Sequence, residues 1–282
     1  MKDARNYYAG LLTQGKQTSS NDIPRASGLV RPILHAENAR NPGLNAVVCE
    51  NERVLESTLR KLGSLNGGQE GHIRIHFGST SRHRIAVDAF KHREGGFTLI
   101  AVDSEPNGQL AHQLTRMQVK NPDILKATVT IPAPNQIHME GCHIFTINTL
   151  NALHDHQPYI QTLHQQAYDE AMGRTAPQLA GSPWFRVFQN NHTVLDPADA
   201  FNLLPAKFFK HIQVRRPHDN GPNMLDIAEK QNPALIHQPV NKKGQTLRQR
   251  VESANPDKAL EHFSRAERTS SLDKKRLVLI DR

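Results

Sequence analysis

The stretch that most restricts the fold is a pair of apolar runs on either side of a glycine-containing turn. RIAVDAF (84–90) and GFTLIAVDS (96–104) flank HREGG (92–96). The runs are rich in β-branched and aromatic residues that suit a pleated strand, and the two glycines supply the freedom a tight connection needs. The pattern predicts an antiparallel hairpin turning near residues 93–95. HIRIHF (72–77) and LNAVVCE (44–50) read as further strands, as does ATVTIPAP (127–134), which its prolines end. ERVLESTLRKL (52–62) carries Val54, Leu55, Leu59 and Leu62 at helical spacing, and NGG (66–68) marks a turn behind it.

Past Cys142 the texture changes. HIFTINTLNALHDH and QTLHQQAYDEAM read as helices, and the last third mixes short helices with Pro/Gly turns and basic clusters. Strands followed by helices in one chain imply an α+β fold. The expected organisation is a flexible polar segment over 1–28, a core over 29–200 and a basic part over 201–282 packed on that core. Trp184 and Cys49 read as core residues.

Lys and Arg number 35 against 27 acids, a net charge of +8 that points to a polyanionic partner. Two cysteines cannot staple 282 residues, which implies a reducing compartment. No run reaches the roughly 18 apolar residues that span a bilayer. The opening MKDARNYYAG lacks a signal-peptide core.

One constellation carries chemistry. Cys142 falls where a strand gives way to a helix, and a thiol at a helix N-terminus gains from free N–H groups and the backbone dipole. A small buried cysteine is the structural alternative. A cysteine nucleophile needs a base and a group that orients the base. In the hairpin, His83 and Asp103 fall on one face, directly opposite or one diagonal apart, about 5–8 Å between Cβ atoms. Asp88 and Glu105 are rival acids, and His92 in the turn is a poorer base. Gln136, six residues before Cys142, can donate its amide to an oxyanion.

HRIAVDAFKHREGGFTLIAVDSEP and QIHMEGCHIF together resemble the YopJ family of type III secreted effector acetyltransferases, within the clan of ubiquitin-like-protein proteases. LLPAKFFKHIQ (203–213), PVNKKGQTLRQR (239–250) and DKKRLVLI (273–280) resemble its later motifs in order, so the likeness covers about residues 30 to 282. The chain has His143 where many relatives carry Gly, Asp103 where many carry Glu, and Gln245 where Glu is common. The resemblance implies a ubiquitin-like-protease-like core, a mixed sheet packed on helices, with a basic regulatory C-terminal part. It implies acetyl transfer from acetyl-CoA through Cys142 to Ser, Thr or Lys of host signalling or immunity proteins. It also implies secretion by a bacterial type III system into the host cytoplasm.

The C-terminal cations either form a solvated basic face or converge on one compact anion. The family likeness implies inositol hexakisphosphate as an activator, with Lys210, His211, Gln213, Lys242, Lys243, Arg248, Lys274, Lys275 and Arg276 as cofactor contacts. It further suggests Lys210 for acetyl-CoA handling or autoacetylation. Two rival functions share these residues: a thiol protease for ubiquitin-like proteins, and a non-enzymatic polyanion-binding module with a degenerate triad. Nucleic acid is not expected, because no reading motif is present and aromatics for stacking are few. No metal is expected either: HDH (154–156), His138 and His143 form the densest histidine group, without a C-x-x-C or H-E-x-x-H frame.

Overall fold

A computed structural model of the chain describes residues 2–14, 23–65, 69–78, 83–104, 109–133, 142–175, 186–188, 192–195, 199–212, 224–254 and 277–281. In chain order the elements are α1 (Lys2–Thr13), α2 (Ile23–Arg40), β1 (Ala46–Cys49), α3 (Glu52–Leu65), β2 (Gly71–Phe77), β3 (Ile85–Lys91), β4 (Phe97–Asp103), α4 (Gln109–Lys120) and β5 (Leu125–Pro132). There follow α5 (Cys142–Asp155), α6 (Gln157–Ala171), β6 (Arg186–Phe188), β7 (His192–Val194), α7 (Ala200–Leu203), α8 (Met224–Gln231) and α9 (Leu247–Ala254).

The hairpin forms where the sequence places it. β3 and β4 pair antiparallel with Ala86 opposite Val102 and Lys91 opposite Phe97. The turn closes through His92 N–H to Gly96 O at 3.1 Å and Gly95 N–H to His92 O at 3.0 Å. Gly95 and Gly96 take φ of 101° and 80°, which side chains with a Cβ rarely adopt. Among the described residues seven strands form one sheet in the order β1-β2-β3-β4-β5-β7-β6. It is mixed: β1–β2, β4–β5 and β5–β7 are parallel and the other pairs antiparallel.

Helices cover both faces, so β3 and β4 are buried along their whole length. On one face Ile85, Val87, Ala89, Leu99 and Ala101 pack with Leu55 and Leu59 of α3 and Leu110, Leu114 and Met117 of α4. On the other, Ala86, Ile100 and Val102 join Val30 and Leu34 of α2, Ile144 and Leu150 of α5, and Ile160 of α6. That second core continues into Phe201, Phe209, Leu225, Leu235 and Leu247, which ties the C-terminal part to the sheet.

The N-terminal segment departs from expectation. Residues 2–13 and 23–40 are helical. Tyr7 of α1 packs against the second core, and Arg5 pairs with Asp281 from the end of the chain. Those anchors are remote in sequence, so local composition does not reveal them.

The sheet buries several histidines as neutral rings. Burial lowers His92 and His192 to about 4 from the ordinary 6.5, lowers His164, and takes His76 well below that value. Unfolding lets each ring take up a proton below about pH 6.5, so stability is full above that pH and falls as pH drops toward about 4. The melting temperature is expected to decrease steadily from about pH 7 to about pH 5. A flat profile over that interval in thermal melts would contradict it.

Candidate active site

Because Ala86 stands opposite Val102, His83 and Asp103 come one diagonal apart on the same face. Their side chains meet, with His83 Nε2 2.7 Å from Asp103 Oδ1, and both residues are buried. This bond occupies the Nε2 side of the imidazole and turns Nδ1 away from the carboxylate. Asp103 closes β4, and its carbonyl accepts from Ala133 N–H at 2.7 Å, which holds the strand end against the residue following β5.

Cys142 opens α5 and is buried. One turn on, Thr146 Oγ1 donates to the Arg84 carbonyl at 3.1 Å, fixing the start of α5 beside the residue that follows His83. Burial lowers the pKa of the Arg84 guanidinium, an effect that negative charge at Cys142, and then at Glu50, opposes. Gln136 lies outside the described residues.

The rival groups are used elsewhere. Asp88 belongs to the opposite face, where its Oδ1 meets His72 Nδ1 at 2.8 Å and His164 Nε2 at 3.6 Å, and its Oδ2 lies 3.4 Å from Arg74 Nε. Burial alone would raise its carboxyl, but hydrogen bonds from His164 and His72 hold it well below the usual range. These three residues also bring metal-ligand atoms within 4.8 Å of one another. Arg74 already balances the carboxylate there, so the group reads as a buried ion-pair network. His92 bonds Thr98 Oγ1 at 2.9 Å and stacks on Tyr168, and Glu105 lies outside the described residues. Cys49 is a core residue of β1, its thiol pushed up by burial.

The basic residues divide into two neighbouring segments. Lys210 and His211 sit half-buried after a 3-10 turn over Ala206–Phe209, and Lys242 and Lys243 are exposed on the turn before α9. Ala206 N–H donates to Gln238 Oε1 at 3.4 Å, which joins the segments. Arg248 is engaged by Glu229 at 2.5 Å and Glu252 at 3.5 Å, and Lys207 by Asp155. Gln213, Lys274, Lys275 and Arg276 lie outside the described residues.

Sequence reasoning missed Arg84 and the assembly around His143. His143 Nε2 lies 3.0 Å from Ser27 Oγ, and its ring stacks on that of His76. The alternation of His72, Arg74 and His76 in HIRIHF was the available signal for a polar face of β2.

Comparisons with known proteins identify the family and the fold. A family model described as YopJ Serine/Threonine acetyltransferase matches residues 2–282. Among solved structures, one described as AvrA delL154 with IP6 and CoA superposes with a TM-score of 0.65 at 19% identity, covering 97% of this chain and 98% of that one. One of HopZ1a in complex with IP6 has a TM-score of 0.68 at 16% identity, covering 99% and 93%. A third, of HopZ1a with IP6 and CoA, has a TM-score of 0.68 at 17% identity, covering 98% and 92%. A search of curated proteins found no match.

Proposed function

Since the chain belongs to the YopJ serine/threonine acetyltransferase family and is an acetyltransferase, we propose that it moves an acetyl group from acetyl-CoA to host signalling or immunity proteins through Cys142. The observation that carries this reading is the 2.7 Å bond between His83 and Asp103, on the strand pair against which the Cys142 helix is docked.

In the first half-reaction His83 Nδ1 takes the Cys142 proton, and Asp103 holds the imidazole in the tautomer that permits this. The thiolate attacks the acetyl carbonyl, coenzyme A leaves as a thiol with the proton from His83, and an acetyl-cysteine remains. Gln136 and a backbone N–H at the start of α5 are the proposed donors to the oxyanion. In the second half-reaction His83 deprotonates a Ser, Thr or Lys side chain, which takes the acetyl group and returns Cys142 to its starting state.

Inositol hexakisphosphate suits the basic segments as an activator. Lys242 and Lys243 are exposed, and Lys210 and His211 belong to the adjoining segment, so one compact polyanion can gather charge from both. Gln213, Arg248, Lys274, Lys275 and Arg276 complete the proposed contacts, with Arg248 shared by two acids. Action inside a host cell after type III secretion follows from the same reading.

The test is intact-mass analysis after incubation with acetyl-CoA, with and without inositol hexakisphosphate, for wild type and Cys142→Ala. Acetyl adducts on wild type alone, increased by the polyphosphate, are expected. Equal adducts on Cys142→Ala, or none on folded wild type with the polyphosphate, would refute the scheme. A geometric corollary concerns Gly78, where a Cβ would fall 2.5 Å from the His83 carbonyl and 2.6 Å from Arg84 Cδ. The arginine can swing away but the backbone carbonyl cannot, so Gly78→Ala displaces His83. Its kcat is expected to drop about tenfold or more, read in steady-state acetyl transfer, and an unchanged kcat would refute that placement.

A further inference from the structure

The first turn of α5 carries a polar assembly separate from the His83–Asp103 pair. His143, next to Cys142 in the chain, is 7% exposed, and His76 on β2 is 1% exposed. His143 Nδ1 lies 3.4 Å from His76 Nε2, and His143 Nε2 lies 3.0 Å from Ser27 Oγ on α2. The two imidazoles are stacked, with centroids 5.4 Å apart and planes 6° apart. One side chain thus joins an N-terminal helix, the helix that begins with Cys142, and a strand inside the sheet.

The chain of bonds is self-consistent with both rings neutral. Ser27 donates to His143 Nε2 while His143 Nδ1–H donates to His76 Nε2, or every direction reverses. Burial, reinforced by the charge of Arg84, keeps His76 neutral at ordinary pH, so the bridge stands under working conditions. The location matters physically. The first N–H groups of a helix have no partner within it, so a helix start is held by whatever side chains pin it. Thr146 pins α5 to the Arg84 carbonyl, just ahead of β3, one turn on. At the first turn itself, His143 pins it to β2 and α2.

We propose that His143 is a positioning residue, which sets the Cys142 thiol for attack by bridging α2 to β2 through Ser27 and His76. This rests on the reading of Cys142 as the nucleophile. A displacement of about 1 Å at a reacting atom is enough to cost about a hundredfold in rate, so the bridge acts on turnover rather than on acetyl-CoA binding.

The experiment uses the full chain with inositol hexakisphosphate and two readouts: steady-state acetyl transfer, and the rate at which iodoacetamide alkylates Cys142. His143→Ala removes both bonds, Ser27→Ala removes only the α2 bond at a half-buried hydroxyl, and His143→Gln restores a hydrogen-bonding group near Nε2. Expected are a kcat lower by about 30- to 100-fold for His143→Ala with KM for acetyl-CoA within about twofold, and slower alkylation. A loss of about three- to tenfold for Ser27→Ala and partial recovery in His143→Gln complete the expectation. Folded His143→Ala and Ser27→Ala that keep wild-type kcat and alkylation rate overturn the proposal. If His143→Ala does not fold, Ser27→Ala decides by the same two readouts. Cys142→Ala serves as the control: turnover that survives it refutes the nucleophile itself, a separate failure from that of His143.

Discussion

His83→Ala is expected to reduce acetyl transfer by about 10⁴-fold or more, and Asp103→Asn by about 10²- to 10⁴-fold, with little change in melting temperature. The two residues meet at 2.7 Å, and His83 is the base that the Cys142 thiol requires. Without it the thiol must ionise unaided. With asparagine at 103 the imidazole receives a hydrogen bond where it should give one, which stabilises the wrong tautomer. Groups that act as a unit lose their effect together, so the double variant His83→Ala/Cys142→Ala should be no slower than the slower single one. Single-turnover acetylation of Cys142 followed by mass separates this step from acceptor transfer. A His83→Ala enzyme within about tenfold of wild type would remove His83 from the scheme.

Asp88→Ala is expected to destabilise the fold by about 3–5 kcal/mol, because it leaves a buried charge without its counter-charge. Arg74 is 0% exposed and lies 3.4 Å from the carboxylate. Its other bonds, to the Gly43 and Leu44 carbonyls and to Gln157, supply oxygens but no full charge. His72 and His164 lose their acceptor in the same step. A drop of about 10 °C or more in melting temperature follows. Changing both members, Arg74→Met with Asp88→Leu, should recover much of the loss, since desolvated ion pairs are replaceable by apolar groups of similar volume. A single Asp88→Ala variant that melts within about 2 °C of wild type would show that the network contributes little.

The two predictions part along the two faces of β3. Odd-numbered residues share the side on which His83 and Asp103 pair, and Asp88 belongs to the other. The hairpin therefore serves the site at its open end and anchors the polar core along β3, and the substitutions should separate activity from stability.

The sequence by itself determined the hairpin and put His83 and Asp103 within reach on one of its faces. Both are local: strand-forming runs and a two-glycine turn set the register, and the register sets which side chains oppose each other. The motif order from QIHMEGCHIF to DKKRLVLI likewise pointed to the family that the whole-chain match bears out. Only the tertiary structure decided what covers each face. His72, Arg74 and His76 alternate in a way equally compatible with a solvated strand face, and they are buried because α5 and α6 close over it. The helical N-terminus depends on Tyr7 and Arg5 reaching partners far along the chain. The bridge through His143 joins Ser27, His76 and a residue beside Cys142, three segments brought together only by packing. Periodicity tells which residues share a face, but the burial that makes those residues neutral, paired or reactive comes from the elements that pack against it.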